Sequence, residues 1–246
     1  MEQANLELLA AGLRQYGVAP TDGMLHAIGQ HLQMVAEWNE QVNLTAITAE
    51  REMVVKHAID SASALGMVEV GPGARVLDVG TGAGFPGVTL KCIQPEATVV
   101  LLESLAKRCK FLEAVGTEVI APLGGKADAY QVVWGRAEDK GQDKQFRERF
   151  DLVVARAVAE LRVLSEYCLP FAKVGGEFLA MKGPSGAEEL AAAKSAIATL
   201  GGEVVDVKSI VLPEEAGART LIRVKKVKAT PKEFPRKAGT PAKKPL

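Results

Sequence analysis

The sequence predicts an α/β protein: a seven-stranded, mostly parallel sheet closed at one edge by an antiparallel hairpin, with a helical extension ahead of it. Three observations carry the prediction. From Pro72-Gly73 onward, short apolar runs alternate with segments of helical period, a pattern that implies parallel strands joined by right-handed crossovers. Before that point apolar residues recur at helical spacing. Between the first apolar run and the helix after it, the chain turns through Gly80-Thr81-Gly82-Ala83-Gly84, three glycines two apart.

In the helical part, Leu6, Leu9, Leu13 and Tyr16 mark one amphipathic helix that Gly17 ends, and Leu25, Ile28, Leu32 and Val35 mark a second before Trp38. Thr48 is expected to cap a third, with Glu50 and Glu52 in its first turn and Val54, Ala58 and Leu65 along one side. His26, His31 and His57 fall in these helices. Each reads as a solvated or hydrogen-bonded histidine, because none has a second histidine or carboxylate at ligand spacing in a clear apolar shell. The polar segment Glu37 to Ala46 is expected between helices. There Trp38 reads as a core residue, and Asn39 and Asn43 as satisfying turn backbone; the alternative is a surface that faces a substrate.

The strands are expected at Arg75 to Val79, Thr98 to Leu102, Gln131 to Trp134, Phe150 to Ala155, Gly176 to Met181, Glu203 to Leu212 and Thr220 to Val227. Helices fall near Gly87 to Ile93, Ser104 to Val115 with Ser104 as cap, Glu160 to Phe171, and Gly186 to Leu200. The last two strands lack a helix between them. Pro213 to Ala218 is a short glycine-containing connection, so they should pair as a hairpin.

Val76-Leu77-Asp78-Val79 runs into the glycine turn, and Pro86 stands at the expected start of the next helix, where its missing N–H costs nothing. Left-handed backbone angles cost a residue with a side chain roughly 1–2 kcal/mol, and only bare backbone lets a ligand lie against it. The dinucleotide fingerprint would need a third glycine at Phe85, and the phosphate loop would need a lysine and a hydroxyl residue where Val88 and Thr89 stand. Neither motif is satisfied. The run Val99 to Leu102 ends on Glu103, about 20 residues past the turn, where open α/β folds place an acid that accepts from a ribose diol. The alternative is that Glu103 only opens the next helix, with a charge that suits its dipole. A nicotinamide-dependent oxidoreductase would share strand, turn and acid but lacks the fingerprint glycine; a non-catalytic RNA-binding module would keep only the basic C-terminus.

The run Asp78-Val79-Gly80-Thr81-Gly82-Ala83-Gly84 resembles the first motif of class I S-adenosylmethionine-dependent methyltransferases, which share a Rossmann-like fold. Six stretches in order narrow the resemblance: Trp38-Asn39 with Asn43-Leu44-Thr45, Asp78 to Gly87, Arg136-Ala137-Glu138, Ala155-Arg156-Ala157, Met181-Lys182-Gly183, and Pro235-Arg236-Lys237-Ala238-Gly239-Thr240-Pro241. Together they are similar to the bacterial small-subunit ribosomal RNA methyltransferase G family, formerly glucose-inhibited division protein B. The resemblance covers nearly the whole chain, with a longer, more glycine-rich connection at Gly124 to Tyr130. It implies methylation of a guanine at N7 in the decoding-region loop of 16S ribosomal RNA, with S-adenosyl-L-methionine as cofactor and the RNA or the small ribosomal subunit as partner.

Carried over residue by residue, the resemblance implies cofactor contacts at Gly80, Gly82, Gly84 and Phe85 in the turn, at Glu103, at Ala137 and Glu138, and at Arg156. Arg156 interrupts an apolar strand end, where burying it is costly without an anion; a cofactor carboxylate or an RNA phosphate would serve. Guanine N7 has a lone pair and no proton, so no general base is expected. Lys182, Arg223, Arg236 and Lys237 are the candidates for RNA contact.

With 30 basic and 30 acidic residues and 48% apolar content, the 246 residues can bury a substantial core. No apolar run approaches the about 20 residues that span a bilayer, and Met1-Glu2-Gln3 begins no signal sequence. A cytoplasmic monomer is expected. Cys92, Cys109 and Cys168 are odd in number and lack C-x-x-C spacing, which indicates neither a disulfide framework nor a metal site. The expected organisation is a helical extension over 1–70, the sheet domain over 71–228 and a basic tail over 229–246. From Arg223 on, nine Lys or Arg stand against one acid, a net charge of plus eight that leaves minus eight for the rest. With four prolines and little apolar material, the tail reads either as a flexible solubilising segment or as a phosphate contact.

Overall fold

Apolar residues two apart along the strands fill two different cores, and that alternation sets the architecture. The computed structural model describes residues 1–126 and 128–246. Val76, Val99, Leu101, Val154 and Leu179 belong to one core, and Leu77, Val79, Val100, Val153 and Ala155 to the other. Every strand near the centre is therefore covered on both faces.

The chain enters through α1 (Gln3–Gln15) and α2 (Asp22–Val42). A helical stretch follows whose regular parts are α3 (Glu50–Met53) and α4 (Asp60–Ala62), with a wider π-helical turn, Val54–Ile59, between them. Then come β1 (Arg75–Val79), α5 (Gly87–Ile93), β2 (Thr98–Glu103), α6 (Ala106–Val115), β3 (Tyr130–Trp134), α7 (Ala137–Lys140), β4 (Phe150–Arg156) and α8 (Leu161–Cys168). The chain finishes with β5 (Ala172–Lys182), α9 (Gly186–Thr199), β6 (Gly202–Val211), β7 (Ala218–Lys226) and α10 (Thr240–Lys243).

The seven strands lie in the order β3-β2-β1-β4-β5-β7-β6, with β1 to β5 parallel and β7 antiparallel to both its neighbours. This is the predicted sheet, edge hairpin included. The order reverses between β1 and β4, and the carboxyl ends of strands at such a switch point open the crevice where α/β sheets bind ligands. Leu9 and Leu13 of α1 and Ile28 and Leu32 of α2 share the first core with the strands, so the extension packs directly on one sheet face. Leu161 and Leu164 of α8 and Ala193 and Ile197 of α9 cover the other. Among the described residues no helix is long and apolar enough to cross a membrane, and the three cysteines are buried free thiols.

Several boundaries differ from expectation for identifiable reasons. Helix α2 runs through Trp38 to Val42 and ends on Asn43, whose φ is 52°; Asn39 Oδ1 then accepts from the N–H groups of Leu44 (2.7 Å) and Thr45 (2.9 Å). Trp38 packs edge-on to Phe111. Ala49 precedes α3 where Thr48 was the expected cap, and Leu105 precedes α6 where Ser104 was. Pro86 sits one residue ahead of the first turn of α5. Strand β5 begins at Ala172, and its register on β4 shifts between Phe150 and Leu152; a Cβ on Gly176 there would stand 2.9 Å from two β4 carbonyls. The long connection 124–130 contains residue 127, which lies outside the described residues.

The segment after β7 does not trail into solvent. Phe234 and Pro241 are buried, and Arg147 donates to the carbonyls of Thr230, Pro231 and Phe234. Side chains of the body, together with the segment's own buried Phe234 and Pro241, hold it in place.

Candidate functional site

The crevice begins at the turn after β1. Gly80, Gly82 and Gly84 take φ of 68°, 61° and 93°, left-handed values that favour glycine. The N–H groups of Gly80 and Thr81 donate to the Leu102 carbonyl at 2.8 and 3.3 Å, which ties the turn to β2. Asp78 fastens its other end by accepting from Thr81 Oγ1 (2.6 Å) and the Gly87 N–H (2.8 Å). Burial lifts the Asp78 pKa to about 6 against those two bonds. A Cβ on Gly80 or Gly84 would press on Val158 or Val88, whereas one on Gly82 would meet nothing nearer than Arg108 at 3.9 Å. Gly82 is the open face of the turn.

Glu103 closes β2 opposite that face. Its Oε2 accepts from the Gly82 N–H (3.1 Å), with Arg108 Nη1 3.8 Å away, and its Oε1 accepts from the N–H groups of Ser104 (2.7 Å) and Leu105 (2.9 Å). The carboxylate therefore gathers the two N–H groups just ahead of α6, and it also reaches into the crevice. A carboxylate offers about four lone-pair sites, so Oε2 keeps capacity beside Gly82.

The next strand continues the rim. Glu103 lies in register with Trp134, and the Gly135 N–H donates to the Glu103 carbonyl at 2.9 Å. Ala137 and Glu138, the first residues of α7, follow directly, and no side chain caps that helix. Glu138 is buried and its Oε1 accepts from the Gly239 N–H (2.8 Å), so the residue serves the C-terminal segment whatever else it touches. Leu105 and Trp134 are 53% and 66% exposed at this end, with Trp134 Nε1 donating to the Ser104 carbonyl. Neither is among the sequence candidates; an aromatic closing an edge strand was the available signal.

Phe85 differs from expectation. Its ring is buried, stacked on His57 with centroids 4.6 Å apart and tilted against His31 at 4.7 Å, so only its backbone is left to the crevice. His31 Nε2 lies 2.8 Å from the Ala83 carbonyl, and burial pushes its pKa down to about 4. The ring is neutral and donates to the glycine turn.

Beyond the turn, a cavity of about 330 Å³ opens at the carboxyl ends of β4 and β5, lined by Lys56, His57, Asp60, Arg156, Lys182 and Arg219 among others. Asp60 organises its wall. It accepts from Arg156 Nη1 (2.9 Å) and from Arg219 Nε (3.1 Å to each oxygen), and Arg156 also donates to the Lys56 carbonyl. The chain itself thus supplies an anion for Arg156, from a helix 96 residues earlier. His57 Nε2 lies 2.9 Å from Thr45 Oγ1 and Nδ1 lies 3.4 Å from Arg156 Nη2; burial, then the Arg156 charge, pushes it down to about 3.

The RNA candidates divide. Lys182 donates to the Ala159 carbonyl (2.7 Å) and pairs with Glu189 (2.8 Å), which makes it a fixed part of the cavity wall. Arg236 is held on Glu166, with Nη2 to Oε2 at 2.6 Å. Arg223 stands 4.0 Å from Glu177 beside a separate cavity with Glu69, Asp151 and Lys173, at the amino end of the sheet, the rim opposite the crevice. Lys237 is exposed, has no ion pair among the described residues, and lies two residues from Gly239, hence beside α7. Sequence reasoning missed His57, Asp60 and Arg219. The legible clue was a histidine and an acid three apart within Val54 to Ala64, which puts both on one helix face.

The model of a family described as rRNA small subunit methyltransferase G matches residues 24–220. Ribosomal RNA small subunit methyltransferase G of Symbiobacterium thermophilum is 58% identical over 97% of both chains. Its namesake in Lactobacillus johnsonii is 47% identical over 98% of this chain and 100% of its own. Among solved structures, fibrillarin of Aeropyrum pernix, in complex with natively bound S-adenosyl-L-methionine, has a TM-score of 0.50 at 16% identity, covering 65% of this chain and 70% of its own, a likeness of fold. With the family model spanning most of the chain and relatives matching almost all of it, this protein belongs to the rRNA small subunit methyltransferase G family.

Proposed function

We propose that this chain methylates a guanine at N7 in the decoding-region loop of 16S ribosomal RNA, with S-adenosyl-L-methionine as donor, acting as a cytoplasmic monomer. The observation that carries the reading, given the family, is the open Gly82 face beside the buried Glu103 carboxylate, next to a cavity walled by arginines. The residues fit the donor: a Cβ-free surface to lie against, a carboxylate with spare capacity for a ribose diol, and uncapped N–H groups at Ala137 and Glu138 along the same rim.

When bound, the donor supplies a methyl on a sulfonium sulfur. The N7 lone pair forms the new N–C bond as the S–C bond breaks, and the positive charge passes from sulfur to the purine. No proton moves. The chain's contribution is alignment, which can lower the barrier by roughly 7–11 kcal/mol. Asp60 holds the Arg156 and Arg219 guanidinium groups at the cavity wall, where they can meet the charge of an incoming nucleotide. N7 faces the deep, narrow groove of A-form RNA, so the target base has to be unstacked to enter.

Lys232, Lys237, Lys243 and Lys244 are the part of the tail left to meet phosphate; Arg236, Lys182 and Arg223 keep internal partners. The test is incubation of small-subunit rRNA with methyl-labelled donor, followed by chain cleavage at 7-methylguanosine. A single labelled guanine in the decoding-region loop is expected. Label at another atom or site, or none, overturns the reading.

A further inference from the structure

The one-turn helix α7 and the loop after it, 137–149, rest on the body through Ala137 and Phe146, which pack on the second core, and through the Glu148 and Arg149 N–H groups, which donate to the Pro170 and Phe171 carbonyls. Strand β3 before them is a half-exposed sheet edge, and a helix of four residues is not stable by itself. Their fixed partners come largely from the C-terminal segment. Glu138 accepts from the Gly239 N–H (2.8 Å), and Gln142 Nε2 donates to the carbonyls of Lys232 (3.2 Å) and Pro235 (2.8 Å). Arg147 donates to Phe234 (2.7 Å), Thr230 (2.7 Å) and Pro231 (3.1 Å), and Glu148 accepts from the Thr230 N–H (2.9 Å). Gly141 lies so close to the Pro235 ring that a Cβ would stand 2.7 Å from it.

The segment is anchored in turn on the body. Phe234 fills the second core, and the Thr230 hydroxyl donates to the Leu200 carbonyl. Glu166, a fully buried carboxylate on α8, accepts from the Arg236 N–H (2.7 Å), Nε (3.0 Å) and Nη2 (2.6 Å). All of its hydrogen bonds among the described residues come from Arg236. A carboxylate buried in a helix with its partners only in the last stretch of chain is a built seat, because without that stretch it would be a costly unpaired charge.

We propose that the C-terminal turn Arg236-Lys237-Ala238-Gly239 is a positioning element for the donor site, holding Ala137 and Glu138 in place through the Glu166–Arg236 fork and the Gly239–Glu138 bond. This rests on the reading that the donor lies against α7. Arg236 and Glu166 act through α7 and are positioning residues, not groups that touch the donor.

The experiment measures S-adenosylhomocysteine binding by calorimetry, without RNA, and steady-state kinetics, on Arg236→Ala, Glu166→Gln, the double variant and Lys237→Gln. Arg236→Ala and Glu166→Gln should each weaken binding about fivefold, the worth of roughly one hydrogen bond to the displaced groups. The double variant should be no weaker than the worse single one, and KM for the donor should rise while KM for RNA holds. Lys237→Gln should leave donor binding unchanged. Glu138→Gln, which keeps an acceptor for the Gly239 N–H, should bind more tightly than Glu138→Ala. Variants that melt earlier yet bind the donor as the parent does overturn the proposal, as does a rise confined to the KM for RNA. A parent chain that binds no S-adenosylhomocysteine overturns the donor reading beneath it.

Discussion

The two halves of the crevice are built from different materials. On the donor side the surface is largely backbone: the turn from Gly80 to Gly84, the Gly82 N–H and one carboxylate, within the stretch from Asp78 to Leu105, with the start of α7 beside them. On the other side charged side chains that arrive from four separated places, near 56–60, 156, 182–189 and 219, line the cavity together with Ile47 and Met181. A cradle of bare peptide tolerates few side chains but is a local structure. A wall of buried charges is balanced only when every contributor is present, so it ties the N-terminal helices to the far strands and stands or falls as a unit.

Breaking that unit should have the largest effect. Asp60→Ala leaves two guanidinium groups without their carboxylate in a largely dry wall, and removal of one partner from such a network costs about 3–5 kcal/mol. Urea unfolding of this variant checks it; a loss under about 1 kcal/mol would show that solvent, and not Asp60, balances the arginines. The donor side should respond differently. Glu103→Ala is expected to weaken cofactor binding by roughly 1.5–3 kcal/mol, the range for hydrogen bonds to a charged group. Calorimetry with the cofactor checks it: a variant that loses stability but keeps its dissociation constant assigns Glu103 to opening α6 alone.

The same contrast explains what could be read in advance. The strands, the hairpin at β6 and β7, and the glycine turn follow from local signals: short apolar runs, a missing helix, and glycines where left-handed angles are needed. Glu103 was legible because turn and acid keep a fixed separation along the chain. Arg156 was legible only as a problem, an arginine in an apolar strand end with an unknown anion. Its partner Asp60 lies in another core element, and no spacing rule connects them. The tail shows the converse failure. Its composition reads as free chain, since the groups that seat it, Arg147 and Glu166, belong to other segments and carry no mark of that role in the sequence.

Acid should probe both halves at once, because each contains one buried histidine. His31, under the glycine turn, is held near 4 and His57, at the cavity, near 3, both depressed chiefly by burial. Unfolded histidine titrates at about 6.5, so below that pH the unfolded state binds protons that the native state refuses, and stability falls as pH falls. Each histidine contributes roughly 1 kcal/mol per pH unit. Asp78 has the opposite sign: raised to about 6, it takes up a proton in the native state first and offsets one histidine below that pH. Stability from urea unfolding should therefore fall as pH drops below about 6.5, with a net loss between pH 6 and pH 4 close to that of one histidine and not two. His31→Asn and His57→Asn should each flatten the profile. Curves parallel to the parent in both variants would exclude the histidines as its cause.

The smallest effects should come from the exposed rim, and they separate its two ends. Lys237, Lys243 and Lys244 carry no ion pair among the described residues, and the first of them stands beside α7, whereas Arg223 is at the amino end of the sheet with Glu177. If RNA crosses the crevice, each lysine that meets a phosphate releases a counterion, so replacing it with glutamine should lower the slope of log affinity against log salt by about 0.7. Arg223→Gln should leave the slope unchanged, because that rim faces away from the crevice. None of these changes should alter donor binding measured without RNA. A slope that drops for Arg223→Gln and holds for the lysines would put the RNA on the opposite rim, and the arginine-walled cavity would then have no route to a base.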